Sequence, residues 1–101
     1  MANNDFIKAD DGKTKWTLIP FRELEQVAIV LENGAKKYKI DNWKKSDDVT
    51  RYKDALMRHA VSYISGEKID DVNKGGDGLS HLAHVICNCL FLMYFDNEGK
   101  F

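Results

Sequence analysis

The stretch RHAVSYISGEKIDDVNKGGDGLSHLAHVICN, residues 58–88, holds all three histidines of the chain, a run of carboxylates and a glycine-broken loop. Its reading decides the fold. His81 and His84 stand three apart, a spacing that on a helix puts both imidazoles on one face. Asp77, four residues earlier, and Asn88, four later, prolong the same line, and Leu79, Leu82, Ala83, Val85, Ile86, Leu90 and Phe91 surround it. A polar stripe on an apolar helix must face groups that satisfy it, because an unpaired buried polar group costs about 1–3 kcal/mol. We expect this helix over residues 79–95, as the central and most buried element.

Working outward, GEKIDDVNKGGDG at 66–78 packs Gly75, Gly76 and Gly78 among alternating charges, a pattern expected to exclude regular structure. Before it, a second helix is expected over about 49–65, capped by Asp47 or Asp48 and closed by Gly66. Leu56, Ala60 and Ile64 form its apolar face, with Tyr52, Leu56, His59 and Tyr63 on a neighbouring line. The segment AKKYKIDNWKKSDD at 35–48 has too little periodicity for a long helix and too many lysines for a strand, and reads as a structured basic loop. A first helix opens at Pro20 and repeats Leu24, Val27, Ala28 and Leu31 at helical spacing, with Asn33-Gly34 expected to stop it. Residues 1–13 read as a flexible N-terminal arm, 14–95 as one helical domain and 96–101 as a tail. The fold class is all-α with three main helices.

The chain has 101 residues, 44% hydrophobic and 31% charged, which suits one globular domain. At this size oligomerisation is an economical way to bury more apolar surface. No run of about 18 apolar residues and no apolar leader segment stand out. Cys87 and Cys89, two apart on one helix, cannot bridge within it and read as small buried hydrophobes of a reducing, cytoplasmic setting. A net charge of −1 argues against a nucleic-acid polymer as partner.

Charge distribution says more than its total. Lys36, Lys37, Lys39, Lys44 and Lys45 cluster on one side of the sequence, and Glu67, Asp70, Asp71 and Asp77 on the other. Carboxylates gathered together repel unless a cation lies between them, and hard oxygen donors select Mg²⁺ or Mn²⁺; solvated loops are the plainer explanation of either run. His59, His81 and His84 add nitrogen donors, or else serve as hydrogen-bonded core residues. Lys36, Lys37 and Arg58 suit phosphate oxygens; Tyr38 and Trp43 could stack on a base and Asn42 bond a sugar or base edge, or the aromatics simply pack the loop onto the helices. Gly75-Gly76-Asp77-Gly78 lacks the Lys-Ser/Thr of a P-loop, and no Ser-His-Asp or Cys-His set can be assigned.

The strings LIP (18–20), GAKKY (34–38), NW (42–43), RY (51–52), A-x-x-RH (55–59), GE-x-x-D (66–70) and G-x-x-HLAH (78–84), in this order and spacing, resemble the phage dATP/dGTP diphosphohydrolases of MazZ type. That family is grouped with the MazG-like all-α nucleoside triphosphate pyrophosphohydrolases. The resemblance runs from about residue 13 to about 95. It implies a helical subunit assembling into a dimer or tetramer, and Mg²⁺- or Mn²⁺-dependent cleavage of a purine dNTP to the monophosphate and pyrophosphate, in the host cytoplasm. It further implies Glu67 and Asp70 as metal ligands, and His59 and His81 as further ligands or as the base that orients water. Lys36, Lys37 and Arg58 would grip phosphates, and Tyr38, Asn42 and Trp43 would line the nucleoside pocket. Where MazG-like enzymes carry an ExxD helix, this chain carries His81-x-x-His84.

Two other readings predict different behaviour. A non-catalytic nucleotide sponge that sequesters a bacterial immune signalling nucleotide would bind its ligand in EDTA and return it unchanged. A purely structural oligomer would bind neither nucleotide nor metal.

Overall fold

The computed structural model describes residues 6–7 and 9–101. The expected arm at 1–13 therefore falls in part, at 1–5 and 8, outside the described residues. Among the described residues the chain is all-helical, with three long helices and no strand: α1 (Phe21–Lys37), α2 (Thr50–Ile64) and α3 (His81–Asn97). Three single turns of 3₁₀ helix, at Trp16–Leu18, Asn42–Lys45 and Val72–Lys74, punctuate the connections. No described helix is long and apolar enough to cross a membrane.

α3 is the central element, as its composition predicts, and packs against both other helices. Val27 of α1 with Ala83 and Cys87 of α3 forms the buried core, flanked by Leu24, Val30, Leu31 and Phe91. Burial raises the Cys87 thiol to about 12, with the negative charge of Asp77 adding to the effect, so this cysteine behaves as a hydrophobe. Both cysteines are free thiols. A second, aromatic layer lies two turns further along α3. Trp43 stacks on Phe91 at 4.4 Å and meets Tyr94 and Phe95 edge-on, while Tyr52 of α2 lies against Phe91 and Phe95 and its hydroxyl donates to the Trp43 carbonyl. Trp43 thus packs its loop onto the helices.

Three boundaries differ from expectation. Gly34 does not stop α1, which continues to Lys37, so Lys36 and Lys37 are helical; the end is set by Lys39 and Asp41, both at positive φ. α3 runs two residues past Phe95, and the tail folds back until the Phe101 ring lies 5.5 Å from that of Phe95. The loop after α2 is more regular than its glycines suggest. It holds a 3₁₀ turn capped by the Asp71 side chain and an isolated antiparallel bridge between Ile69 and Ser80.

The end of α2 agrees with expectation. Gly66 takes a left-handed φ of 107°, and the Glu67 N–H turns back to the Ser62 carbonyl while Gly66 donates to Tyr63. This helix stop delivers Glu67 beside the last turns of α2. At the start of α3 the Ser80 hydroxyl accepts from the Leu82 N–H, and the Ser80 N–H donates to Gln26 of α1, which pins the helix that carries two of the histidines.

Candidate functional site

His59 from α2 meets His81 and His84 from α3 across the seam between the two helices. The His59 and His84 rings lie parallel, 4.2 Å apart and within 7°. His59 and His81 face each other through their Nδ1 atoms at 2.8 Å. One of the two must donate and the other accept. On its far side His81 Nε2 stands 2.7 Å from Glu67 Oε1, and because the carboxylate only accepts, that nitrogen carries the proton. His81 Nδ1 then accepts from His59 Nδ1–H, which leaves the lone pair of neutral His59 on Nε2. The chain Glu67–His81–His59 therefore fixes both tautomers.

Electrostatics agree with that assignment. Desolvation, followed by the repulsion of His84, lowers the His59 pKa and favours the neutral ring. The hydrogen bond from His81, followed by that from Lys74, lowers the Glu67 pKa; Lys74 Nζ stands 3.1 Å from its second oxygen. His81 is buried, at 3% exposure, and Glu67 is half-buried.

The acidic loop closes the other side. The Asp70 N–H donates to the Leu79 carbonyl and the Gly78 N–H to the Asp70 carbonyl, so the loop pinches shut with Asp70 and Asp77 at its neck. Both carboxylates turn toward His84. Nε2 of His84 is 2.8 Å from Asp77 Oδ2 and 3.9 Å from Asp70 Oδ2. The short contact is an ion-pair distance without hydrogen-bond alignment: this buried nitrogen has no hydrogen-bond partner among the described residues. His59, Asp70 and His84 can bring one donor atom each within 4.8 Å of one another.

Seven residues along each helix lies a different environment. A groove of about 610 Å³ is lined by Tyr38, Asn42, Trp43, Arg51, Tyr52 and Phe91, with Val30, Leu31 and the Gly34–Ala35 stretch of α1 behind them. This volume lies within the range of small-molecule sites.

Among the residues singled out in the sequence, the structure gathers Glu67, Asp70, His59 and His81 at one cluster and Tyr38, Asn42 and Trp43 at the groove. Lys36 and Lys37 sit in the last turn of α1, Lys37 5.2 Å over the Tyr38 ring, and neither lines the groove. Arg58 is exposed on α2, beside His59. Both ring nitrogens of His81 are occupied by Glu67 and His59, so its position is one of support. His84, a candidate nitrogen donor, and Asp77, one of the carboxylate run, also belong to the cluster, although the resemblance gave neither a role. The His81-x-x-His84 spacing was the available signal for the first. Asp77 reaches His84 from the loop instead of from a helical line, so spacing alone could not place it.

Comparison with known proteins gives a consistent picture. A "dATP/dGTP diphosphohydrolase" of Salmonella phage PMBT28 is 35% identical over 92 residues, covering 91% of this chain. The matched region is 30% of that relative, so the chain spans under a third of its length. No solved structure matches. The family model described as dATP/dGTP diphosphohydrolase, N-terminal, matches residues 3–101, and the chain belongs to that family.

Proposed function

We propose that this chain takes part in metal-dependent hydrolysis of a purine dNTP, dATP or dGTP, to the dNMP and pyrophosphate. The observation that carries the reading is the shared seam of α2 and α3. Tyr52 and Phe91 touch across it at 5.2 Å, His59 and His84 touch across it at 4.2 Å, and each pair is separated from the other by seven residues, about 10.5 Å of helix. An aromatic groove and a histidine–carboxylate cluster at that separation match the reach from a nucleoside to its phosphates. The family name and the relative's name supply the reaction class.

In this reading Tyr38, Asn42 and Trp43 hold the nucleoside and Arg58, beside His59, meets phosphate oxygens, while Lys36 and Lys37, in the last turn of α1 next to Tyr38, stand at the nucleoside end. The histidine–carboxylate cluster, with Glu67, Asp70 and His81 among its members, holds a divalent ion, Mg²⁺ or Mn²⁺. When bound, the ion supplies Lewis acidity and neutralises charge on the leaving group. Water attacks the α phosphorus and gives up its proton; the bond from Pα to the α–β bridging oxygen breaks, and pyrophosphate departs with those electrons. The Glu67–His81 pair orients His59, and desolvation favours its neutral ring.

The same reading takes the protein as a homo-oligomer. α3 leaves Leu82, Ile86, Leu90 and Met93 exposed at helical spacing, an apolar line that a second copy would cover.

The test is to incubate the chain with each dNTP in MgCl₂, in MnCl₂ and in EDTA, and to separate products by anion exchange. Metal-dependent dAMP or dGMP with pyrophosphate is the expected result. Triphosphates recovered intact in every condition would overturn it, and nucleotide retained in EDTA would then favour a sponge.

A further inference from the structure

We propose that the ion's ligands are His59 Nε2, His84 Nε2 and Asp70, a two-imidazole, one-carboxylate set that selects a first-row transition ion such as Zn²⁺ or Mn²⁺ over Mg²⁺. The proposal rests on the metal-dependent reading above and names the site within it.

Three observations lead there. The three residues already bring donor atoms within 4.8 Å of one another, while ligands about 2.0–2.2 Å from a shared ion stand roughly 3–4 Å apart, so a small closure completes the set. The lone pair of His59 is directed to Nε2 because Glu67 and His81 occupy the other side of its ring. His84 Nε2 is buried, faced by two carboxylates and hydrogen-bonded to neither. A buried nitrogen in that state forgoes its one hydrogen bond unless a cation takes its lone pair and meets the neighbouring carboxylates as well.

Donor chemistry sets the selectivity. Mg²⁺ prefers six oxygens and parts reluctantly with its water, whereas imidazole nitrogens favour the later first-row ions, with Zn²⁺ above Mn²⁺ in the usual affinity order. Glu67 does not touch the ion in this arrangement. It orients His59 through His81, the outer-shell role that carboxylates play behind a ligating histidine. The parallel stack of His59 and His84 has a consequence as well: lone pairs in two parallel rings cannot converge, so binding splays the rings.

The experiment is calorimetry on the EDTA-stripped chain, titrated with ZnCl₂, MnCl₂ and MgCl₂ without nucleotide, alongside NMR of the histidine ring protons. Zn²⁺ is expected to bind most tightly, Mn²⁺ more weakly, and Mg²⁺ at least 100-fold more weakly than Zn²⁺. Asp70→Asn and His84→Gln, checked for helicity by circular dichroism, should each abolish tight binding, and Glu67→Gln should weaken it about 10- to 100-fold. The ring protons of His59 and His84 should shift together on saturation. Zn²⁺ binding that is absent, or unchanged in a folded Asp70→Asn variant, overturns the site. Tight binding through these residues without dNTP turnover keeps the site and removes the hydrolase reading, while Mg²⁺-driven turnover in His84→Gln does the reverse.

Discussion

Gly76 lies so close to Asp70 that a methyl group on it would stand 2.5 Å from the Asp70 carboxyl carbon, one of its oxygens and its backbone carbonyl. No side chain fits there, because Cβ contacts under 3.0 Å do not occur without displacement. Gly76→Ala is therefore expected to push Asp70 away from His59 and His84 and to reduce Zn²⁺ affinity by 10-fold or more while α1, α2 and α3 stay formed; calorimetry with circular dichroism checks both halves. The glycine-rich run was conspicuous in the sequence, but its purpose was not. A cluster of glycines marks a loop, and only coordinates reveal which one another residue leans on. The histidines behaved similarly. Helical spacing placed His81 and His84 together, yet which ring nitrogen remains free depends on Glu67, fourteen residues away, and on an imidazole from another helix.

At the scale of elements, α1 and α2 show how far local signals reach. Asn33-Gly34 reads as a stop, but Gly34 sits inside α1, where nothing lies within 4 Å of an added methyl group. Gly34→Ala should thus stabilise the protein by about 0.5–1 kcal/mol, measurable by urea unfolding, since alanine fits the helix and restricts the unfolded chain. A true stop at that residue would give the opposite sign. α2 followed its signals more faithfully. Even so, neither of the two aspartates expected to cap it holds the N-cap, which is Val49 without a side-chain capping bond. Asp48, one residue earlier, still has its carboxylate accept from both the backbone N–H and the hydroxyl of Thr50, the first residue of the helix. Those bonds, backbone first, hold its pKa below the ordinary 3.8. A depressed folded value means that the unfolded chain takes up the proton first, so the stabilisation is complete above about pH 4 and disappears as pH falls through the depressed value. Asp48→Ala should melt lower than wild type at pH 7, and the two melting curves should converge as the buffer is taken well below 3.8.

At the scale of the molecule, the all-α class and three-helix count were legible because amphipathic repeats report burial directly. Association was not, since an apolar residue reads the same whether its own chain or another covers it. Among described apolar residues only Val27, Ala83, Cys87 and Phe95 are fully buried, a thin core for 101 residues. Ile86 stands 42% exposed in the middle of the uncovered line on α3. In the homo-oligomeric reading, Ile86→Glu should reduce the mass seen by light scattering to the 11.6 kDa of one chain without loss of helicity; a wild-type chain already at that mass would end the reading.

The glycine stop after α2 carries one more consequence, which concerns spacing. Glu67 is attached to the end of a rigid rod that also bears His59, so the interval between them is part of the site. One residue inserted between His59 and Gly66 would swing Glu67 by about 100° around the rod and lift it by about 1.5 Å, away from His81. Among related chains, an intact set of histidines and carboxylates with a changed interval here should therefore be read as a different site.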